Sequence, residues 1–340
     1  MAFHLSATTH AILRARSNSM EIVLSSPRGF CAGVVRAIDI VDLCLKQYGA
    51  PIYVRREIVH NPHVVNELAE RGAIFVDEVE DVPESETIVF SAHGVAPSVW
   101  AAAQERNLRI IDASCPLVTK VHNEAIRYAQ SGYTILLIGH RNHDEIIGTM
   151  GEVPEKTLIL ENVDDALRVQ VPDPEKVVIL TQTTLSVDDT KEIVGVLQTR
   201  FPTLVTRNDI CYATTNRQAA VKALESSVDL ILILGARNSS NCQRLLETAT
   251  ASGIPAYLVS GPDELDSSWF TGVQRVGITS GASTPEWLVD SITQRLDASQ
   301  VCTVEVAEEK VTFALPKELR GVAPSPPRIQ RVLMDEKMVW

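Results

Sequence analysis

The sequence lacks any apolar run long enough to cross a bilayer, and it lacks an excess of basic charge. Its 340 residues include 31 Lys and Arg against 43 Asp and Glu, which gives a net charge of −12. A membrane-spanning helix needs about 20 consecutive apolar residues, and an acidic chain disfavours broad binding to nucleic acid or anionic membranes. We therefore expect a cytoplasmic protein with no nucleic-acid and no membrane partner, which leaves a small molecule in a local pocket as the ligand.

Closely spaced cysteine pairs are also absent. The six cysteines stand at positions 31, 44, 115, 211, 242 and 302. Disulfide frameworks are dense and belong mainly to short secreted chains. We therefore expect a reducing compartment, with thiols that are free or bound to metal.

Neither end of the chain has a clear structural or targeting pattern. The first 19 residues contain no acidic residue, and they lack the continuous apolar core of a secretory signal. We predict a disordered leader over residues 1–20. The far end is proline-rich without a clear period, and we predict a C-terminal extension over residues 299–340.

The middle of the chain repeats one theme, in which a short β-branched run is followed by a polar loop and a helix. The runs are EIVLSS (21–26), TIVFSA (87–92), LRIIDA (108–113), YTILLIG (133–139), KVVILTQ (176–182), LILILG (230–235) and QRVGITS (274–280). Near-continuous apolar strands that alternate with helices are typical of α/β architecture with parallel sheets buried on both faces.

Three cysteines share one context, at the point where a predicted strand passes into a predicted helix. Cys31, Cys115 and Cys211 lie 84 and 96 residues apart in GFCAGVV, ASCPLVT and DICYATT. The near-even interval suggests three related units that each supply one thiol. Cys44, Cys242 and Cys302 do not share this setting, and we interpret them as core or incidental thiols.

Three thiols at helix N-termini suit a metal centre. The helix dipole favours the thiolate, which is the form that binds metal. Zinc normally takes four ligands, or three and a water, whereas a cubane iron–sulfur cluster normally takes four cysteines and would keep one open iron with three. The alternative at this point is three unrelated structural cysteines.

Polar residues collect in the loops that follow the predicted strands, where open α/β sheets bind ligands. Hydroxyls and amides at helix starts favour a phosphate group, histidines can donate to it, and a carboxyl near a threonine can supply a proton. The candidates are His60, His93, His143, Glu145, Thr183, Ser239, Ser240, Asn241 and Ser283, with Thr184, His140 and His122 as weaker ones.

Taken together, the motifs carry a resemblance to a known family. They are PRGFCAGV, EIVHNPHVV, FSAHGV, DASCPLVTKVH, IGTMGE, LTQTTLSVDDT, DICYATTNRQ, ARNSSN and ITSGAST, in that order from Met20 to Pro316. The chain closely resembles the 4-hydroxy-3-methylbut-2-enyl diphosphate reductases, the last enzymes of the methylerythritol phosphate route to isoprenoid precursors.

The resemblance implies a three-lobed α/β cloverleaf with pseudo-threefold symmetry around an iron–sulfur cluster. The lobes would comprise residues 32–115, residues 116–211, and residues 21–31 with 212–298. Cys31, Cys115 and Cys211 would hold a [4Fe–4S] cluster whose fourth iron is open to substrate; a preparation that loses this iron would contain [3Fe–4S] or no cluster.

The resemblance also implies the reaction and the roles of the loop residues. The diphosphate would be held by His60, His93, Ser239, Ser240, Asn241 and Ser283. His143, Glu145 and Thr183 would contact the substrate hydroxyl, with Glu145 delivering the proton. Two electrons would remove this hydroxyl as water and yield isopentenyl or dimethylallyl diphosphate. Because no flavin or nicotinamide fingerprint is present, a ferredoxin or flavodoxin would be the electron donor.

One loop departs from the family pattern. HDEIIGT replaces the usual HPEVEGT, so that Asp144 stands at a proline position and Ile147 at a carboxylate position. This change puts the local loop shape and the pKa of the acid in question. Two other function classes stay open: a cysteine-dependent hydrolase or transferase with Cys115 or Cys211 as nucleophile, and a non-catalytic binding protein pinned by a cluster or zinc.

Overall fold

Three separate parallel β-sheets form the framework of the protein. The computed structural model describes residues 20–321; residues 1–19 of the predicted leader and residues 322–340 of the predicted extension lie outside the described residues. The strands and helices in chain order are β1 (Glu21–Ser26), α1 (Ala32–Tyr48), β2 (Ile52–Arg55), α2 (Pro62–Glu70), β3 (Ala73–Val76), β4 (Thr87–Phe90), α3 (Pro97–Glu105), β5 (Arg109–Asp112), α4 (Pro116–Gln130), β6 (Thr134–Ile138), α5 (Asp144–Glu152), β7 (Thr157–Leu160), α6 (Val163–Arg168), β8 (Val177–Thr181), α7 (Val187–Arg200), β9 (Val205–Thr206), α8 (Tyr212–Leu224), β10 (Leu230–Leu234), α9 (Ser240–Ala251), β11 (Ala256–Val259), β12 (Arg275–Ser280), α10 (Glu286–Leu296) and β13 (Gln300–Glu305).

The three sheets have the same strand order. The first unit has the order β3-β2-β4-β5, the second β7-β6-β8-β9, and the third β11-β10-β12-β1 with β13 added at its edge. Every pairing is parallel. The prediction of three parallel-sheet α/β units is therefore confirmed, and the recurrence of one strand order gives the pseudo-threefold character.

The central strands are buried along their whole length, as their apolar runs predicted. Every residue of β4, β6, β8 and β10 is buried. Helices cover both faces of each sheet because a parallel sheet needs crossover connections that lie above and below it. Two apolar layers on the two sides of β10 illustrate this arrangement in the third unit.

Each unit passes to the next at a cysteine. The strand before Cys31 belongs to the third sheet, but the helix after it packs on the first sheet, where Ile38 joins the core around Val54. In the same way, α4 packs on the second sheet and α8 packs on the third. The three cysteines therefore lie at the three junctions between units.

The segment after α10 is folded against the rest of the protein over its described part. Strand β13 pairs with β1 from Glu21 to Ser26, and Leu319 is buried in the core of the first unit. The guanidinium of Arg217, which is 0% exposed, donates to Glu309 Oε1 at 3.0 Å and to the Gly29 carbonyl at 2.8 Å. The boundaries set for the lobes and the extension stay a prediction, but β13 adds the start of the extension to the third sheet.

None of the helices between residues 20 and 321 combines the length and the apolar character that a bilayer span requires.

Candidate active site between the three units

A cavity of about 110 Å³ lies where the three units meet. All the site residues predicted from the sequence line it, and all three units contribute. They are Cys31, Cys115, Cys211, His60, His93, His143, Glu145, Thr183, Ser239, Ser240, Asn241 and Ser283. The structure therefore brings the complete predicted set together, although these residues are spread over more than 250 positions of the chain.

The three cysteines are fixed by the same backbone contact. Each is the N-cap of its helix, and each amide donates to a carbonyl in the loop after the neighbouring strand. These bonds run from Cys31 to Ala282 at 3.1 Å, from Cys115 to Ala92 at 2.9 Å and from Cys211 to Thr183 at 3.0 Å. This repeated anchor sets the three side chains at equivalent places around the cavity.

A glycine allows two of the sulfurs to approach each other. A Cβ atom on Gly33 would lie 2.8 Å from the Cys115 sulfur and 3.8 Å from the Cys31 sulfur. The first distance is shorter than real contacts, so the position excludes any larger residue. The sulfurs of two different units therefore lie on either side of a space that only glycine leaves open.

Burial makes the metal-free thiols weak acids, contrary to the expectation from the helix dipole. Loss of solvent raises the pKa of Cys115 to about 12 and that of Cys211 to about 11. Bonds from the Leu117 amide and the Thr214 hydroxyl lower these pKa values, but they do not offset the burial. Binding of a metal group therefore has to release protons, and activated-thiol chemistry is disfavoured because a nucleophilic cysteine needs a lowered pKa.

The spacing of the sulfurs suits a group larger than one ion. Two sulfurs on one zinc lie at most about 4.6 Å apart, because each Zn–S bond is about 2.3 Å. Among residues 20–321, the one set of three His, Cys, Asp or Glu ligand atoms that all lie within 4.8 Å of one another is His60, His93 and Asp144. The three cysteine sulfurs therefore do not all lie within 4.8 Å of one another, so at least one pair is wider than a single zinc spans, and a polynuclear iron–sulfur cluster fits better.

The set of His60, His93 and Asp144 is poorly suited to a cation. The Asp144 carboxylate is already paired with the guanidinium of Arg56, and this positive charge also lowers the pKa of His93. A metal ion would have to displace or tolerate the arginine. We therefore do not treat this set as a metal site.

Glu145 is a buried carboxyl group with no cationic partner. It is 2% exposed, and it accepts hydrogen bonds from the Thr183 amide at 2.6 Å and the Thr183 hydroxyl at 3.0 Å. Burial raises the pKa of Glu145 to about 7, although both bonds from Thr183 lower it. The group therefore exchanges a proton close to neutral pH.

His143 caps the helix that carries Glu145. Its Nδ1 accepts from the Glu145 amide at 3.2 Å, so the proton of the neutral ring lies on Nε2. Burial lowers the pKa of His143 to about 3, and the ring remains a neutral donor. Asp144 occupies the first position of the helix, where a carboxylate interacts well with the helix dipole, and Ile147 is exposed.

The first unit contributes a stacked pair of histidines. The rings of His60 and His93 lie 4.2 Å apart at an interplanar angle of 21°. The ring of His143 meets both edge-on, at 5.5 and 5.7 Å. Burial, together with the neighbouring histidines and Arg56, lowers the pKa of His93 well below its usual range.

The third unit contributes hydroxyls and an amide around the start of α9. Ser239 is its N-cap, Ser240 donates to the Thr184 carbonyl at 3.0 Å, and Ser283 donates to the His60 carbonyl at 3.0 Å. The Asn241 side chain accepts from the Ala282 amide at 3.1 Å. These bonds cross all three units and hold a polar rim in place.

Sequence reasoning missed several residues that support the site. The Thr214 hydroxyl and the Cys211 sulfur share a hydrogen bond of 3.2 Å, and Gln182 donates to the hydroxyls of Thr184 and Ser240. Glu57 accepts from both His60 and Asn238 at 2.9 Å. The sequence could have indicated Thr214, because a residue three positions after the helix cap Cys211 lies close to the cap's side chain. The contacts of Gln182 with Ser240 and of Glu57 with Asn238 join loops that are distant in sequence, so no local pattern indicates them.

The remaining candidates lie outside this cluster. His122 is buried and pairs with Glu152 at 2.8 Å. Cys44 and Cys242 are buried in the cores of the first and third units, as predicted. Cys302 lies in β13. His140 does not line the cavity; burial lowers its pKa.

Comparisons with known proteins agree on one family. The family model described as LytB protein matches residues 22–297. The chain is 53% identical to the 4-hydroxy-3-methylbut-2-enyl diphosphate reductase of Mycobacterium ulcerans (strain Agy99), over 93% of this chain and 95% of that relative. It is 52% identical to the protein of the same name from Streptomyces avermitilis, over 89% of this chain and 92% of the relative.

Solved structures give the same result. The E-1-hydroxy-2-methyl-but-2-enyl-4-diphosphate reductase from Plasmodium falciparum is 39% identical and superposes with a TM-score of 0.86, over 88% of this chain and 97% of that one. A structure titled as (E)-4-hydroxy-3-methyl-but-2-enyl diphosphate reductase, the terminal enzyme of the non-mevalonate pathway, is 35% identical with a TM-score of 0.59, over 82% and 99%. With a matching family model over residues 22–297 and relatives above half identity, this chain belongs to the LytB family, whose matched relatives are named 4-hydroxy-3-methylbut-2-enyl diphosphate reductases.

Proposed function

We propose that this chain reduces 4-hydroxy-3-methylbut-2-enyl diphosphate to isopentenyl and dimethylallyl diphosphate, with loss of the hydroxyl as water. The proposal is carried by one observation: three cysteines, a neutral proton donor and a phosphate-binding rim line the same cavity. In a reductive removal of a hydroxyl group from an anionic substrate, the cysteines would hold the redox cofactor, the acid would supply the proton, and the rim would bind the phosphate groups. The site serves an isoprenoid precursor route in a reducing cytoplasm.

Cys31, Cys115 and Cys211 would hold the iron–sulfur cluster, in its [4Fe–4S] form. When bound, the cluster supplies electrons and an iron not ligated by cysteine, which can act as a Lewis acid. The wide spacing of the sulfurs and the opening beside Gly33 support this fit. The Thr214 hydroxyl, held by Asn241 at 3.3 Å, would donate to the Cys211 thiolate.

The diphosphate would bind across the first and third units. Ser239, Ser240 and Asn241 stand at the start of α9, where the free amides and the helix dipole favour an anion. Ser283 and the rings of His60 and His93 face them across the cavity. A diphosphate at this place would contact residues of both units.

Glu145 would provide the proton for the departing hydroxyl. When Glu145 is protonated on Oε2, it donates to the Thr183 hydroxyl, which in turn can donate into the cavity. The neutral His143 ring would orient the substrate hydroxyl through Nε2–H. Because burial raises the pKa of Glu145 to about 7, the protonated form is available at neutral pH and declines as pH rises.

Electrons have to come from outside the chain, and we propose a small ferredoxin or flavodoxin as donor. The test is anaerobic purification followed by a visible spectrum, iron and sulfide analysis, and turnover with a reduced one-electron donor. We expect a brown protein with about four irons per chain that converts the allylic alcohol diphosphate. Full activity in a Cys115→Ser variant that carries no cluster would contradict the proposal.

The same experiment separates the two other classes. A cysteine hydrolase would be colourless and would depend on one cysteine, and the raised pKa values of Cys115 and Cys211 disfavour it. A non-catalytic binding protein would bind the diphosphate without turnover under any reducing donor.

A further inference from the structure

Glu57 contacts a residue of the proposed diphosphate site, although its side chain is 34% exposed and does not line the cavity itself. Its carboxylate accepts from His60 Nδ1 at 2.9 Å and from the Asn238 amide at 2.9 Å. The bond from His60 lowers the pKa of Glu57, so that the carboxylate stays ionised and acts only as an acceptor. Nδ1 of His60 therefore carries a proton.

This arrangement limits what the other nitrogen of His60 can do. In a neutral ring with its proton on Nδ1, Nε2 is an acceptor and cannot donate to a phosphate oxygen. A phosphate oxygen can be bound at Nε2 only when one more proton is present, either on the ring or on the phosphate. Binding of a diphosphate at this ring therefore takes up a proton.

Among the groups around His60, Glu57 is the charged one that is not paired with another charged group apart from His60 itself. The groups that face this ring are Glu57 and Arg56 from its own loop, His93 from the loop after β4, His143 and Asp144 from the start of α5, and Asn238 and Ser283 from the third unit. Arg56 and Asp144 pair with each other. Burial keeps His93 and His143 neutral, and Asn238 and Ser283 carry no charge.

The stacked geometry favours His60 as the ring that takes the proton. Two imidazolium rings at 4.2 Å would repel each other, so the pair with His93 holds at most one charge. The His60 ring contacts a carboxylate, whereas His93 Nδ1 contacts the Ser91 hydroxyl at 3.3 Å. A positive charge on His60 would therefore lie directly against the Glu57 carboxylate.

We propose that Glu57 is a positioning residue that holds His60 as the single cationic donor of the diphosphate site, so that substrate binding is accompanied by proton uptake. This inference rests on the proposed function, because it takes the diphosphate site as given. Asn238 would position the Glu57 carboxylate from the third unit, which links the charge on His60 to the docking of two units.

The test uses inorganic diphosphate and the cluster-loaded protein in anaerobic calorimetry. Titrations at a pH of about 8, above the ordinary histidine range, are repeated in buffers of different ionisation enthalpy, which gives the protons taken up per diphosphate bound. We expect uptake of about one proton more for the wild type than for His60→Asn. Glu57→Gln should reduce the uptake to the His60→Asn value, and Glu57→Asp should restore part of it.

Kinetics provides a second measurement. Glu57→Gln should raise KM for the allylic diphosphate about tenfold at this pH, with a smaller rise at pH about 6 where solvent can protonate the ring, and with kcat nearly unchanged. The matched control is Glu247→Gln, which removes the same charge from a surface ion pair with Arg244 and should behave as the wild type.

The outcomes separate the inference from the proposed function. If Glu57→Gln takes up as many protons as the wild type, or has its full effect when His60 is already Asn, the inference is wrong while the diphosphate site stands. If inorganic diphosphate does not bind to the wild-type protein, or binds equally well to His60→Asn and to a Ser239→Ala variant, the diphosphate site and the inference both fail.

Discussion

The cavity has one wall formed by the second unit and another formed mainly by the first unit, and the two walls differ in whether their ionisable groups are neutral or charged. On the second unit, Glu145 and Thr183 are buried and His143 is half-buried, and loss of solvent brings the pKa of Glu145 to about 7 and that of His143 to about 3. On the first unit, Glu57 contacts His60, and Arg56 pairs with Asp144 of the second unit. One wall is kept neutral and can pass a proton, whereas the other keeps its charges in pairs and can bind an anion.

The difference shows that burial and ion pairing give neighbouring acidic residues two different properties. One is a proton donor, and the other is an anion that stabilises a cation. Removal from water disfavours the charged form of any group, so a carboxyl with no cation becomes a proton donor near neutral pH. A carboxylate with a histidine partner stays ionised and stabilises a cation instead. The two settings lie side by side, since Asp144 and Glu145 differ by one position on α5.

The largest expected effect comes from removing the acid of the neutral wall. Glu145→Gln keeps the size of the side chain but has no proton to give, so kcat should fall about 10²- to 10⁴-fold. The visible spectrum and the iron content should not change, because Glu145 does not hold the cluster. Glu155→Gln, an exposed acid beyond the end of the same helix, is the control. Turnover near the wild-type rate in Glu145→Gln would remove Glu145 from the mechanism.

The next effect concerns Thr183, the proposed relay. Thr183→Val removes the hydroxyl but keeps the shape, and kcat should fall about 10- to 100-fold. Thr183→Ser should recover most of the rate, because serine restores the hydroxyl at the same atom. Equal rates in the Val and Ser variants would mean that the hydroxyl carries no proton.

The pH profile should report the neutral wall directly. Because Glu145 is proposed to act in its protonated form, and burial raises its pKa to about 7, kcat should fall about tenfold per pH unit above that value. Thr183→Val removes a bond that lowers the pKa of Glu145, so the alkaline limb should move to higher pH in that variant. If kcat does not change between pH about 6 and pH about 9, the assignment of Glu145 as the proton donor is wrong.

The smallest effects come from the paired wall. Asp144→Asn leaves Arg56 paired with Glu78 alone, at 3.3 Å, beside the proposed diphosphate site and should lower KM about threefold, whereas Arg56→Gln leaves the Asp144 carboxylate without its arginine and should raise KM by a similar factor. The double variant should return close to the wild type, and added salt should reduce both shifts. Shifts of the same sign in the two single variants would mean that they act through loop shape and not through charge.

The roles of the predicted site residues stay predictions, but their convergence on one cavity follows from a property of parallel sheets. Their strand ends share one edge, so residues such as His93, Thr183 and Ser283 at strand ends were predicted to converge, and all of them line the cavity. The cysteines were found in the same way, since Cys31 and Cys211 each stand between a strand and a helix.

What the sequence did not reveal depends on how the units pack. The thiol of Cys115 was expected to be acidic from its helix start, but burial between units dominates its pKa. The contact of Glu57 with Asn238 joins residues 181 positions apart, and the ion pair of Arg56 with Asp144 joins residues 88 apart. No local pattern identifies such partners.

The route of the chain through the third sheet has a consequence for biogenesis. Strand β1 carries the loop of Cys31, yet its two neighbours are β12 and β13, which the ribosome makes last. The buried Arg217, which donates to the Gly29 carbonyl, also pairs with Glu309, which is synthesised later than both residues. Cys31, the first of the three cavity cysteines to be synthesised, is therefore the last to gain its framework, so that the proposed cluster would meet the complete framework only after Glu309 has been synthesised.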